Sequence, residues 1–243
     1  MDAKVLAAII AAGVAVLSAI ISIIGQFRIA KFKASLERDR EIRAKKQQAE
    51  EILSKYRDPL VYAAFELQSK LFNILKQGLL QVYYTNGTEL EREYTLQNTI
   101  YVIAQYLCWR EIIKREIQYL DLGEIEATRK LADLMQRIES LFLTDSLNPV
   151  FRIFRGEQRA IGEKMITRED AKPTCLGYAS FVESEDASFR RWFKKLEDDI
   201  DTLADSPLSN GERLVRLQHA LINLIDYLDP ECVRFQKNYR QKV

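Results

Sequence analysis

Histidine occurs once in the 243 residues, at His219. A lone imidazole leaves no His-rich zinc set and no histidine acid–base couple, so His219, among Leu217, Leu221 and Leu224, reads as a partly buried packing residue. Cysteine is nearly as scarce. Cys108, Cys175 and Cys232 lie far apart, make no Cys-x-x-Cys pair and suit a reducing compartment. There is no phosphate loop, no Gly-rich dinucleotide motif and no serine-nucleophile elbow. No metal and no cofactor is implied. The net charge is only +1, and the segment from Arg28 to Lys46 carries an excess of five positive charges, so the chain from Gln47 on is net acidic, a poor match to nucleic acid, which is not an expected partner. No hairpin signal with alternating flanks occurs, so the expected fold class is all-α.

What the chain does have is an uncharged run from Val5 to Ile24, made of Val, Leu, Ala, Ile, Gly and Ser. A helix of about 20 such residues rises about 30 Å, the depth of a bilayer's hydrocarbon core. The run is too long, and its basic start too weak, for a cleaved signal peptide. We therefore expect a single N-terminal transmembrane helix with the bilayer as its partner. Arg28, Lys31, Lys33, Arg38, Arg40, Arg43, Lys45 and Lys46 follow it against Glu37, Asp39 and Glu41. Basic flanks stay cytoplasmic, which predicts a single-pass protein with its N-terminus outside and its C-terminal domain in the cytoplasm. The same flank, Arg28 to Lys46, suits anionic lipid headgroups.

Within the run, Ala8, Ala12, Ala15, Ala19, Ser22 and Gln26 recur at alternating spacings of four and three, a heptad seam of small residues. In lipid, small residues let helices approach closely, so the seam predicts self-association. Ser18, Ser22 and Gln26 also form a thin polar stripe, which in a ring of helices would line a pore. Its plainer reading is serines bonded back to their own helix.

The domains expected are 1–27, the anchor; 28–55, a basic helical stalk free of Gly and Pro; and 56–243, a cytoplasmic multi-helix bundle. A break at Gly25 is one option for the anchor–stalk join. Asp58-Pro59, Asn148-Pro149 and Asp229-Pro230 each read as an N-cap followed by a first-turn proline, opening new helices. Asn86-Gly87 closes the first of these near Tyr83. Helices are then expected over about Leu90 to Leu120, stopped by Gly123, and over Glu124 to Leu143. A short one spans Gly156 to Ile166, a longer one runs from an N-cap at Ser184 to Ala204, and another covers Gly211 to Leu228. Thr167 to Ser184 reads as irregular, and Val150 to Phe154 as either extended or helical.

Three stretches place polar groups inside apolar patterns: Tyr56 to Pro59 with Glu66, Gln68 and Asn73; Trp109 to Asp121; and Arg155 to Glu163. They support two readings. One is an ion-pair network that matches Arg110 to Glu111, Arg115 to Glu116 and Arg159 to Glu163. The other is an anion site built from Arg152, Arg155 and Arg159, joined by Arg57, Arg110 or Arg115, because a guanidinium fork suits phosphate or carboxylate. The strings YRDPLVYAAFELQSKLFNIL, WREIIKREIQYLDLG and FRGEQRAIGEKMI resemble segments of a widespread family of uncharacterised membrane-anchored helical proteins. The resemblance covers Tyr56 to Ile166 best and Cys175 to Phe193 more weakly. It implies architecture and brings no activity.

The resulting expectation is a membrane-anchored, homo-oligomeric scaffold or adaptor that presents a helical interaction domain to a protein partner not named by the sequence. An oligomeric channel gated by that domain is the alternative. An enzyme acting on lipid or nucleotide near the membrane ranks third, since no catalytic residue stands out.

Overall fold

The computed structural model describes residues 3–118, 126–206 and 211–243, excluding the side chains at 4–12, 15, 19, 49, 50, 52, 53, 117, 118 and 126–128. Two compact units divide the chain, Met1–Gln48 and Ala49–Val243. The first helix, α1, runs over Ala3–Lys76. Within the first unit it passes through Gly25 without interruption, so no break separates the apolar run from the basic segment that follows. Among the described residues no helix is long and apolar enough to cross a membrane. The side chains of Val5 to Ala12, Ala15 and Ala19, which make up much of the expected span and four positions of the seam, lie outside the described residues.

In the second unit, α1 continues through Pro59, contrary to the expected helix start there. An interior proline removes one main-chain bond and costs about 3 kcal/mol. Here the stripe Tyr56, Leu60, Val61, Ala63, Ala64, Leu67, Leu71 and Ile74, all buried, offsets it. Asp58 caps nothing. Its carboxylate instead takes Arg234, Nε at 2.8 Å and Nη2 at 2.7 Å. α1 ends at Lys76 rather than near Tyr83, where Gly78 turns at φ 65°, a left-handed conformation natural to glycine. A π-helical turn over Leu80–Thr85 follows, ending at the Asn86-Gly87 bend. Tyr83 is exposed, while Tyr84 is buried and donates to Asp201 at 2.5 Å.

Helix α2, Glu89–Gln118, starts from a capping box: Thr88 N donates to Glu91 Oε2 and Glu91 N to Thr88 Oγ1. α3 spans Glu126–Leu143 and α4 spans Arg155–Met165. Asn148 opens no helix. Its Oδ1 accepts the Val150 N–H at 2.9 Å and shapes a turn. Val150 to Phe154 is an irregular connection in which Phe151 stands at φ 55° with its N–H on the Asp199 carboxylate.

The expected irregular stretch contains a hairpin. β1, Ile166–Glu169, pairs antiparallel with β2, Lys172–Cys175. Asp170 and Ala171 turn at φ 48° and 63°, the two positive values of a type I′ turn, which Asn-Gly usually supplies. Then come α5, Tyr178–Val182, α6, Ala187–Arg190, and α7, Lys194–Asp205. The single helix expected from Ser184 to Ala204 is thus two, and the N-cap is Asp186, whose carboxylate accepts Ser188 N–H at 2.8 Å. α8 covers Glu212–Leu228. Gly123, the expected stop after α2, lies outside the described residues.

Asp229-Pro230 starts no final helix. The Asp229 carboxylate accepts the N–H groups of Val233, Arg234 and Phe235 and binds Arg240, tying down a tail that has one 3₁₀ turn, Lys237–Tyr239. The tail also meets Gln68 and Gln218 in the interior: Gln218 Nε2 donates to Gln68 Oε1 and to the Gln241 carbonyl, and Gln68 Nε2 to the Tyr239 carbonyl. That explains a polar Gln68 on an apolar stripe. Phe65 stacks on Phe235 with centroids 3.6 Å apart. The core runs along α2, which packs on α4, α5, α7 and β2, while α3 packs on α8. The second unit is therefore mostly helical, as expected, with one small hairpin.

Candidate functional site

Helices α2 and α4 meet closely because Gly162 lacks a side chain: a Cβ there would stand 2.7 Å from the Leu107 carbonyl oxygen. This approach brings together four of the six arginines expected to form an anion site. Arg115 bonds Glu111 at 3.0 Å along its own helix and Glu163 across the gap. Arg159 bonds Glu163 at 2.9 Å and lies 3.8 Å from Glu111. Arg155 bonds Glu139 of α3 at 2.8 Å. Arg110, 3% exposed, donates from Nη1 to Gln158 Oε1 at 2.6 Å, with Glu139 at 3.6 Å. Gln158, fully buried, is itself fixed by the carbonyls of Ile153 and Glu139. The remaining two stand elsewhere: Arg152 pairs with Asp145 at 2.7 Å, and Arg57 is exposed on α1.

The pairings differ from those read along the sequence. Arg110 and Glu111, and Arg115 and Glu116, are neighbours that point apart on a helix, whereas residues three and four apart share a face. Arg159–Glu163 does form as expected.

Next to this zone α2, α3 and the start of α4 enclose a cleft of about 350 Å³ lined by Arg110, Lys114, Ala132, Met135, Glu139 and Arg155. Among the described lining residues three cations face the single acid Glu139, and Arg110 Nε is buried with no hydrogen-bond partner. Lys114 lies one turn beyond Arg110, in the charged stretch Trp109 to Asp121, where one more charge does not stand out in the sequence.

A second, larger cleft of about 560 Å³ lies between α1, α2 and α5. Glu66 and Lys70 of α1 line it with Tyr94, Tyr101 and Gln105 of α2 and Tyr178 of α5. Tyr178 meets both Tyr94 and Tyr101 edge to face, at centroid distances of 6.4 and 5.2 Å. Burial pushes the Glu66 carboxyl up, against the opposing pull of the Gln105 amide and Lys70. Burial likewise lowers the Lys70 ammonium, which Glu66 partly restores. The Tyr101 hydroxyl donates to the Leu176 carbonyl at 3.1 Å and is pushed up to about 12, chiefly by burial. Glu66 and Asn73 stood out in the sequence as polar breaks on an apolar helix. The tyrosines did not, because three separate elements supply the cleft.

Cys108 is buried on α2, and its thiol is pushed up by a hydrogen bond with Cys175 of β2 and by burial. Two cysteines far apart in sequence therefore meet. His219 is half-buried with Nε2 2.8 Å from the Val243 carbonyl oxygen. Among the described residues no group of three or more His, Cys, Asp or Glu converges to hold a metal.

On the first unit, Ser18 donates to the Val14 carbonyl at 2.9 Å and Gln26 to Ser22 Oγ at 3.4 Å, so these polar groups bond along their own helix. Ala8, Ala12, Ala15 and Ala19 lie outside the described residues. Val14, Val16, Leu17, Ile20, Ile21, Ile23, Ile24 and Phe27 are 47–77% exposed. Compared with known proteins, the chain matches no family model, no curated protein and no solved structure, so the roles argued for these residues rest on their own geometry.

Proposed function

We propose that the protein is a membrane-anchored, self-associating scaffold whose second unit presents an interaction domain to a protein partner. One observation carries this reading: the eight large apolar side chains between Val14 and Phe27 that stand exposed on α1. An uncovered apolar surface of this kind calls for lipid or other helices, and the uncharged composition of Val5 to Ile24 extends it to the length of a span. The basic run from Arg28 to Lys46, eight cations against three acids, supports a cytoplasmic location for the rest of the chain and contact with anionic headgroups. The tyrosine-lined cleft between α1, α2 and α5 supports the interaction role, because tyrosine is enriched where proteins dock.

The pore reading ranks second. Its support is the exposed Ser18, Ser22 and Gln26 stripe, and against it stands the bonding of Ser18 and Gln26 within their own helix. The test of self-association is the mass of the full chain in mild detergent beside an Ala12→Leu/Ala19→Leu variant. The seam predicts a defined oligomer that the double substitution weakens. An oligomer unchanged by it would remove the seam as the interface, and a monomeric wild type would remove both the oligomer and the pore.

A further inference from the structure

We propose that the cleft between α2, α3 and the first turn of α4 binds an organic phosphate, with Arg110, Lys114 and Arg155 as its cationic wall. This does not depend on the membrane anchor, since every lining residue belongs to the second unit.

Charge balance separates this cleft from the neighbouring arginine clusters. Arg115 and Arg159 share Glu111 and Glu163, two cations for two acids, and Arg152 has Asp145 to itself. Around the cleft one carboxylate, Glu139, serves both Arg110 and Arg155, and Lys114 adds a further positive charge. The described lining is thus two positive charges in excess. A buried guanidinium is tolerated when it is fully paired, yet Arg110, 3% exposed, keeps Nε unpartnered and relies on a carboxylate 3.6 Å away. A doubly charged phosphate supplies the missing counter-charge, which a carboxylate does only by half. Guanidinium forks and a lysine point charge are also the usual phosphate donors.

Gln158 holds Arg110 in place from α4, so the buried arginine is set before any ligand arrives. Lys114 and Arg155 are exposed at the rim, where they can close on an anion. Met135 and Ala132 give the cleft an apolar wall. The ligand is therefore a phosphate ester carrying a small apolar body, either a soluble phosphomonoester or the headgroup region of a phospholipid.

The experiment titrates the full chain in mild detergent with phenyl phosphate, dihexanoyl phosphatidic acid and benzoate, following the heat of binding. Saturable binding of at least one phosphate is expected, weakened about tenfold each by Lys114→Gln and Arg155→Gln, as for loss of one charge-assisted contact. Both side chains are exposed, so these variants spare the core. Glu139→Gln removes the competing carboxylate and should tighten binding several-fold. Arg152→Gln and Arg159→Gln should leave it within about twofold, because those side chains line the cleft nowhere. Tighter binding of the phosphatidic acid assigns the headgroup as source, and tighter binding of phenyl phosphate assigns a soluble ester. No saturable binding of either phosphate, benzoate binding as tightly as phosphate, or equal weakening by Arg152→Gln would overturn the proposal.

Discussion

Arg213 is the largest fully buried side chain among the described residues and should be the most sensitive single position of those in the second unit. It reaches from α8 to the end of α3 and the connection that follows. Nε donates to the Val150 carbonyl at 3.0 Å, Nη1 to Leu141 and to Phe142 at 3.2 Å, and Nη2 to Thr144 and Asn148, both at 2.9 Å. Carbonyls at a helix C-terminus lack main-chain partners and carry partial negative charge, so one guanidinium both satisfies and neutralises them. In Arg213→Met the shape is roughly kept, but four of the five carbonyls lose this donor outright, while the Phe142 carbonyl keeps the Ile153 N–H at 3.0 Å. A buried polar group left unpaired costs about 1–3 kcal/mol. If water recovers about half of them, the loss is about 4 kcal/mol, near the range for breaking a buried charge network. With a urea slope of about 2 kcal/mol per molar, the midpoint falls by about 2 M. Both tryptophans, Trp109 and Trp192, pack against the core of the second unit, so their fluorescence reports its unfolding alone. Arg213→Lys, with a compact charge and three donors, should lose about half as much. A midpoint shift below about 0.5 M for Arg213→Met, with the slope unchanged, would refute the claim that this guanidinium joins α8 to α3.

Three further outcomes follow from particular contacts. Gly162→Ala should cost about 1–3 kcal/mol in the same unfolding assay, because its Cβ would meet Leu107 O at 2.7 Å and Glu111 Cβ at 3.1 Å and force α4 away from α2. Burial pushes the Asp229 carboxyl up, but the N–H groups of Phe235, Arg234 and Val233 together with Arg240 outweigh it and hold it below the usual carboxylate range. Its stabilising contribution is therefore complete above the ordinary aspartate pKa and is lost as pH falls through the lower folded value. Asp229→Asn should lower stability at pH 7 and flatten the acid limb of the stability–pH curve; an unchanged acid limb would contradict this. At pH 8 iodoacetamide should alkylate half-buried Cys232 well before Cys108, whose thiol is buried and pushed up by Cys175, as peptide mass mapping will show.

Elements whose apolar period and end signals agree were legible. α8 is the clearest, with Leu214, Leu217, Leu221, Leu224 and Leu228 on one buried face and Gly211 ahead of it. The proline-based starts were not, because an Asx-Pro pair caps a turn or anchors a loop as well as it caps a helix. Asp58, Asn148 and Asp229 spend their side-chain oxygens on Arg234, the Val150 N–H and the tail, which only the tertiary fold brings near. The hairpin was invisible because Asp170-Ala171 replaces the glycine that flags a type I′ turn, and Pro173 speaks against a strand. In the site, the Arg159–Glu163 pair could be read from helical spacing, whereas Arg115–Glu163 and Arg110–Gln158 each span 48 residues and depend on the close α2–α4 approach at Gly162. Arg213 gave no sign at all, since its partners are main-chain carbonyls.

Membrane insertion of α1 is tested most directly by alkaline carbonate extraction of membranes from cells expressing the full chain, beside a Leu17→Arg/Ile21→Arg variant. A charge at the centre of a span costs about 2.5–3.5 kcal/mol on insertion scales, so two should abolish it. The wild type is expected to stay in the membrane pellet and the double variant to move to the supernatant. Release of the wild type by carbonate would contradict a membrane-spanning α1 and leave its exposed apolar face to another protein.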